Sequence, residues 1–182
     1  MARDITLVCL WLSLMTHHVK SECKDEGTSR NCSFLDLQVI PNFTDITLSA
    51  LDMSYNKIST VSLINFSDTA IITSLNLSHN HISAIYDSSF QKLKNLKALD
   101  LSNNLLSGEN LNAKVFNELE NLKLLNLERN PLKIVRGGTF DFFSLAAIEI
   151  LHLSHCDIQN LEDRAIDLPR LIHLDLSWNR LR

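Results

Sequence analysis

Three histidines near the end of the chain, His152, His155 and His173, are of the residue type that ligates transition metals and changes charge between pH 5 and 8. Two acids, Asp52 and Asp100, are side chains that a glycosidase would use as an acid/base pair. Cys156 is a thiol, a nucleophile where its surroundings favour the thiolate. None of them sits in a local motif that performs chemistry. There is no G-x-S-x-G, no H-E-x-x-H and no glycine-rich phosphate loop, and Gly137-Gly138 reads as a turn. Four Asn-x-Ser/Thr tripeptides, at Asn31, Asn42, Asn65 and Asn76, are acceptors for N-glycosylation. Whether the histidines or the acids can meet depends on the elements that carry them.

The 182 residues are 45% hydrophobic and 21% charged, a globular composition that excludes a disordered tail or a collagen-like fibre. The formal charge is −4 and the 17 basic residues are spread along the chain, so nucleic acid is not an expected partner. Residues 1–21 read as a secretory signal: Arg3, then an apolar run from Leu7 to Met15 too short to span a bilayer, then Val19 and Ser21 suited to cleavage after Ser21. Beyond Ser21 no stretch reaches the ~18 consecutive apolar residues of a membrane helix. In the oxidising compartment this implies, Cys23 and Cys32 are the natural disulfide. Closing that short loop stabilises by roughly 2.5–3 kcal/mol, and Cys156 is left over.

The positioning elements come from an internal repeat. The pattern L-x-x-L-x-L-x-x-N-x-L occurs six times, its second apolar position falling at Leu51, Leu75, Leu99, Leu125, Leu151 and Leu174. A further apolar residue follows the Asn slot in five coils: Phe66, Phe90, Phe116, Phe140 and Ile166. The L-x-L alternation turns two side chains of a short strand inward, the Asn slot turns the chain, and the Phe position fills the core from the opposite wall. One coil cannot bury itself, so stacked coils share one elongated core, with their strands side by side in a parallel sheet on one face of a curved solenoid. A carboxamide at the Asn slot both donates to and accepts from the backbone of neighbouring coils.

Residues between the inward leucines face outward in rows. The central row is Asp52, Asn76, Asp100, Asn126, His152 and Asp175; the row two residues earlier is Ala50, Ser74, Ala98, Leu124, Ile150 and His173. The strand-end slot holds Tyr55, His79, Asn103, Arg129, His155 and Trp178. Leu124 and Ile150 are lateral neighbours on a wet face, with His173, Asn126, His152, Asp175, Arg129 and Trp178 around them, and this is the expected ligand contact. A glycan on Asn76 would cover the early coils and direct a ligand to coils four to six. The histidine slots stand about 8 Å apart diagonally, so no metal site is expected. Asp52 and Asp100 lie two strands apart, about 9.6 Å, on a shallow face that desolvates neither, so no catalytic residue and no enzyme is expected.

These residues resemble the extracellular, typical-length class of leucine-rich repeat proteins over 48–182. Cys23 to Pro41, with Cys32-Ser33-Phe34-Leu35, resembles that family's disulfide-bonded N-terminal cap. The two-cysteine cap and the Cys at one Asn slot, Leu153-Ser154-His155-Cys156-Asp157-Ile158, are similar to Toll-like receptors; small leucine-rich proteoglycans would show four cysteines in the cap. The resemblance implies an α/β, β-rich horseshoe with a parallel sheet on the concave face and an irregular or short helical convex side. Its parts would be a signal at 1–21, a cap at 22–47 and six repeats at 48–182. It further implies the N-terminal part of a cell-surface pattern-recognition or adhesion receptor, without cofactor, binding a protein or microbial ligand and pairing as a homo- or hetero-dimer. A secreted matrix or decoy protein with no membrane tether is the alternative. The chain stops at Arg182, just after the sixth repeat, so it is expected to be the front of a longer protein, attached to a membrane only through residues not present here.

Overall fold

The computed structural model describes residues 22–42, 47–62, 66, 71–140 and 145–182. The expected leader and the acceptor Asn65 lie outside them. In chain order the strands are β1 (Lys24–Glu26), β2 (Ser29–Asn31), β3 (Ala50–Asp52), β4 (Thr60–Val61), β5 (Ser74–Asn76), β6 (Ala84–Ile85), β7 (Ala98–Asp100), β8 (Leu124–Asn126), β9 (Ile134–Val135), β10 (Ile150–His152), β11 (Asn160–Leu161) and β12 (His173–Asp175). Eight of them form one sheet in the order β1-β2-β3-β5-β7-β8-β10-β12. The β1–β2 pair is antiparallel and every later pair is parallel.

The register is the one the leucine spacing predicts. Leu51, Leu75, Leu99, Leu125, Leu151 and Leu174 are lateral partners, and so are Asp52, Asn76, Asp100, Asn126, His152 and Asp175. The inward leucines from Leu51 to Leu153 are buried, and Phe66, Phe90, Phe116 and Phe140 close the same core from the far wall. Each such side chain contributes about 1.5–3 kcal/mol by leaving water. The shared core lets coils this short fold at all.

The Asn slots carry the polar interior. Asn104 Nδ2 donates to the Leu77, Leu101 and Ser102 carbonyls at 3.0–3.1 Å, and its Oδ1 accepts from Ile82 N at 2.9 Å. Asn80 and Asn130 repeat that set one coil earlier and one later. The amide thus satisfies buried backbone groups of two successive turns.

The far wall is irregular with a short helix, as the resemblance implied, and adds paired ribbons that it did not. It carries a 3₁₀ helix at Ala113–Phe116 and two short parallel ribbons, β4–β6 and β9–β11. The longer third coil is accommodated by Gly108, whose N–H donates to Leu132 O at 3.0 Å; a Cβ there would stand 1.7 Å from Ile134 O. Gly138, at φ +77°, lies in the expected turn.

At the front the Cys23–Cys32 disulfide is formed, with Cα atoms 4.3 Å apart. The cap contributes two strands to the main sheet, an extension the repeat alone did not foretell. Arg30 stands at the register position of Leu51 and is held by a two-pronged pair to Asp25, 2.6 and 2.8 Å. The Arg30 guanidinium holds the Asp25 carboxyl below its ordinary pKa.

Candidate functional site on the concave face

The central outward row is built from residues that cap their own strands. Asp52, Asn76, Asp100, Asn126 and Asp175 each accept, at Oδ1, the backbone N–H two residues on, at 2.8–3.0 Å. These Asx turns end the strands after three residues. Asp52 and Asp100, the acids weighed for acid/base work, serve the turn and are separated by Asn76 on the intervening strand. Asn126 also donates to Asp100 Oδ2 at 3.3 Å. Hydrogen bonds from the Ser177 hydroxyl and backbone N–H, and from Ser154, hold the Asp175 carboxyl below its ordinary pKa, with His152 adding charge attraction.

The row before it changes character along the sheet. β3, β5 and β7 present Ala50, Ser74 and Ala98; β8, β10 and β12 present Leu124, Ile150 and His173, in register. Leu124 and Ile150 are half-buried side by side, and His173 is exposed beside Ile150. His152 lies between Asn126 and Asp175 in its own row. The sequence-predicted contacts are therefore brought together, except that Arg129 and Trp178 stand off at the strand end.

At the strand-end slot the backbone is left-handed in every coil: Tyr55, His79, Asn103, Arg129, His155 and Trp178 all have φ between 53° and 57°, and Phe34 of the cap joins them at 58°. All seven side chains end in planar groups. Phe34 stacks on Tyr55 at 4.4 Å and Tyr55 on His79 at 4.1 Å, and His155 stacks on Trp178 at 5.3 Å. Phe34 and Trp178 are 71% and 78% exposed, which leaves aromatic surface at both ends of this rim. Phe34 was missed because the cap lies outside the repeat. His155 was read in the sequence as a slot occupant and as one of three histidines, not as a partner for Trp178.

The three histidines divide. His152 and His173 have ring centres 5.5 Å apart, closer than their slot spacing suggested, whereas His155 is taken up by Trp178. Cys156 is buried, its thiol donating to Leu127 O at 3.2 Å and Ser154 O at 3.4 Å, and burial pushes its pKa up to about 11.

A cavity of about 370 Å³ opens on the same face at the front, between the cap hairpin and β3 and β5, with Lys24, Glu26, Arg30, Asn31, Asp52 and Asn76 around it. Two acceptor asparagines thus flank it. Asn31 is exposed and its Oδ1 accepts from Ser33 N and Oγ at 2.8 and 2.7 Å; Asn42 is exposed and Asn76 is half-buried.

Two family models described as Leucine rich repeat match the chain, one over residues 72–132 and 109–158, the other over 44–67. With the parallel sheet and the Asn slots, this makes the chain a member of the leucine-rich repeat proteins. Among solved structures it is similar to Toll-like ectodomains. A Toll-like receptor 13 complex with ssRNA13 shares 28% identity at a TM-score of 0.57, covering 75% of this chain and 22% of that one. The Drosophila Toll–Spatzle complex shares 27% identity at a TM-score of 0.67, covering 74% and 17%. This chain spans about a fifth of those proteins. Comparison with curated protein sequences gives no match. The first of these structures is a complex with an RNA, and the exclusion of nucleic acid drawn above from charge conflicts with it. A chain-wide sum of charges does not describe a local surface. Among the described residues no helix is long and apolar enough to cross a membrane.

Proposed function

We propose that residues 22–182 form a non-enzymatic extracellular binding module, the N-terminal part of a cell-surface pattern-recognition receptor, reached by secretion with cleavage after Ser21. Its ligand, a protein or microbial molecule, binds the concave face of coils four to six. Leu124, Ile150 and His173 form the floor and Asn126, His152 and Asp175 the polar row, while Arg129 and Trp178 close the strand-end side. The observation that carries this reading is the change from Ala50, Ser74 and Ala98 to Leu124, Ile150 and His173 along one outward row. Glycans on Asn31 and Asn76 would fill the front cavity and leave the later coils open. Asn42 and Asn65 are further acceptors. A receptor of this kind signals as a homo- or hetero-dimer.

A glycan wedge tests the placement. Glu128→Ser completes an Asn-Leu-Ser acceptor at Asn126, copying Asn76-Leu77-Ser78 one patch further along the same row. The secreted chain is screened against microbial extracts, secreted proteins and single-stranded RNA oligonucleotides, and each binder is re-measured on Glu128→Ser, Trp178→Ala and Tyr86→Ala. Tyr86 is exposed after β6 on the far wall. Binding abolished by the Asn126 glycan and by Trp178→Ala, and kept by Tyr86→Ala, is the expected result. Binding that survives a mass-verified glycan on Asn126 and is lost on Tyr86→Ala overturns the concave placement.

A further inference from the structure

His152 on β10 and His173 on β12 are diagonal neighbours on the open face: His152 is the register partner of Asp175, and His173 of Ile150. Their ring centres are 5.5 Å apart and the planes meet at 60°. Two imidazoles on one tetrahedral zinc, with Zn–N bonds of about 2.0–2.1 Å, hold their ring centres roughly 5 to 6 Å apart. The pair is therefore already at chelating distance. The terminal torsion of histidine is broad, and His173 is exposed, so turning the rings in place brings one nitrogen of each to a common point without moving the sheet. Strand β10 beneath His152 is fixed by the buried leucines on either side, Leu151 and Leu153.

The surroundings favour a cation of borderline softness. Asp175 stands beside His152 on one side and Asn126 on the other, so the nearest charge is negative. Asp175 Oδ1 is occupied by Ser177 N at 2.9 Å, and His155 is stacked on Trp178. Among the described residues no group of three or more His, Cys, Asp or Glu is placed to hold a metal ion. The protein thus offers two ligands and leaves the outward positions to water or to a donor on a bound molecule.

We infer that His152 and His173 form a two-imidazole site for a transition-metal cation such as Zn²⁺ on the concave face of the fifth and sixth coils. The set is nitrogen-based, which suits zinc, copper or nickel and not magnesium or calcium. The site lies within the proposed ligand surface, and its loading does not depend on a ligand being present.

The test is a titration of the untagged secreted chain at pH 7.5 with ZnCl₂ and with MgCl₂, read by calorimetry and by the histidine ring resonances. One zinc per chain is expected, with the His152 and His173 resonances shifting and no response to magnesium. His152→Gln and His173→Gln each weaken binding at least about tenfold, while His155→Gln leaves it unchanged. Circular dichroism of each variant checks that the sheet is intact. Zinc binding that persists in the His152→Gln/His173→Gln double variant, or no binding at millimolar ZnCl₂ by the folded chain, overturns the inference. Ligand capture lost with zinc binding intact counts against the proposed function alone.

Discussion

The first three coils and the last three share one backbone and differ both inside and outside. In the early coils the Asn ladder is unbroken, and the outward row beside the central one holds Ala50, Ser74 and Ala98. In the late coils the ladder is interrupted at Cys156, and the same row holds Leu124, Ile150 and His173. Asn130 Oδ1 accepts from Leu106 N of the preceding coil, whereas Cys156 has no oxygen to offer the coil before it. There Leu132 N turns to Asn130 O of its own turn at 2.8 Å, and Lys133 follows with φ 60°. One missing acceptor is absorbed by a local turn, and the strand β10 above it keeps its register. The interior demands fix where each strand lies, so the outward positions are at liberty to diverge.

The interior half of that comparison breaks most severely at an intact slot. Asn104→Ala removes three buried donor contacts and the acceptor for Ile82 N, so its cost is expected at about 3 kcal/mol or more. Cys156→Ala loses two weak thiol bonds and a small volume, and about 1 kcal/mol is expected. Urea unfolding of both variants measures the difference. Equal costs would mean that the thiol does the work of an amide and that the ladder has no defect.

A pH titration sharpens the same contrast. The folded chain holds the Cys156 thiol neutral up to about 11 against an ordinary value of 9.0. The unfolded chain therefore loses that proton first. The stability from the neutral thiol is complete below pH 9 and declines as pH rises from 9 toward 11, by about 1.4 kcal/mol per unit at the steepest. Cys156→Ala should flatten that alkaline slope, and a slope unchanged in the variant would assign it to other groups.

The rows and the core were legible because an inward side chain returns in every coil, and a strand shifted by one residue would expose every leucine. The cap hairpin was not. Lys24-Asp25-Glu26 and Ser29-Arg30-Asn31 carry no apolar alternation and pair through backbone and the Arg30–Asp25 bridge. The far-wall ribbons are two residues long, too short for a period to appear. The approach of His152 to His173 was hidden because slot spacing locates backbones, whereas rings lean toward one another. The Asx turns were written in the recurring D/N-x-S spacing, yet reading that row only as ligand contacts left its structural duty unseen.

The smallest effect separates the two halves of the rim. Left-handed backbone costs a residue with Cβ about 1–2 kcal/mol, and Asn bears it best, as Asn103 does here. Tyr55 offsets that strain by stacking on Phe34 and His79, whereas Arg129 has an exposed pairing to Glu128 at 3.5 Å, a contact of little worth. Arg129→Asn should therefore leave stability unchanged or raise it by about 0.5 kcal/mol. Tyr55→Asn gains the same backbone relief but forfeits two stacks at about 0.5–1.5 kcal/mol each, for a net loss of about 1 kcal/mol. Thermal unfolding of the two variants side by side measures this. If both move the midpoint upward, the aromatic rim at the front does not stabilise the fold, and its exposed rings are retained for what they meet from outside.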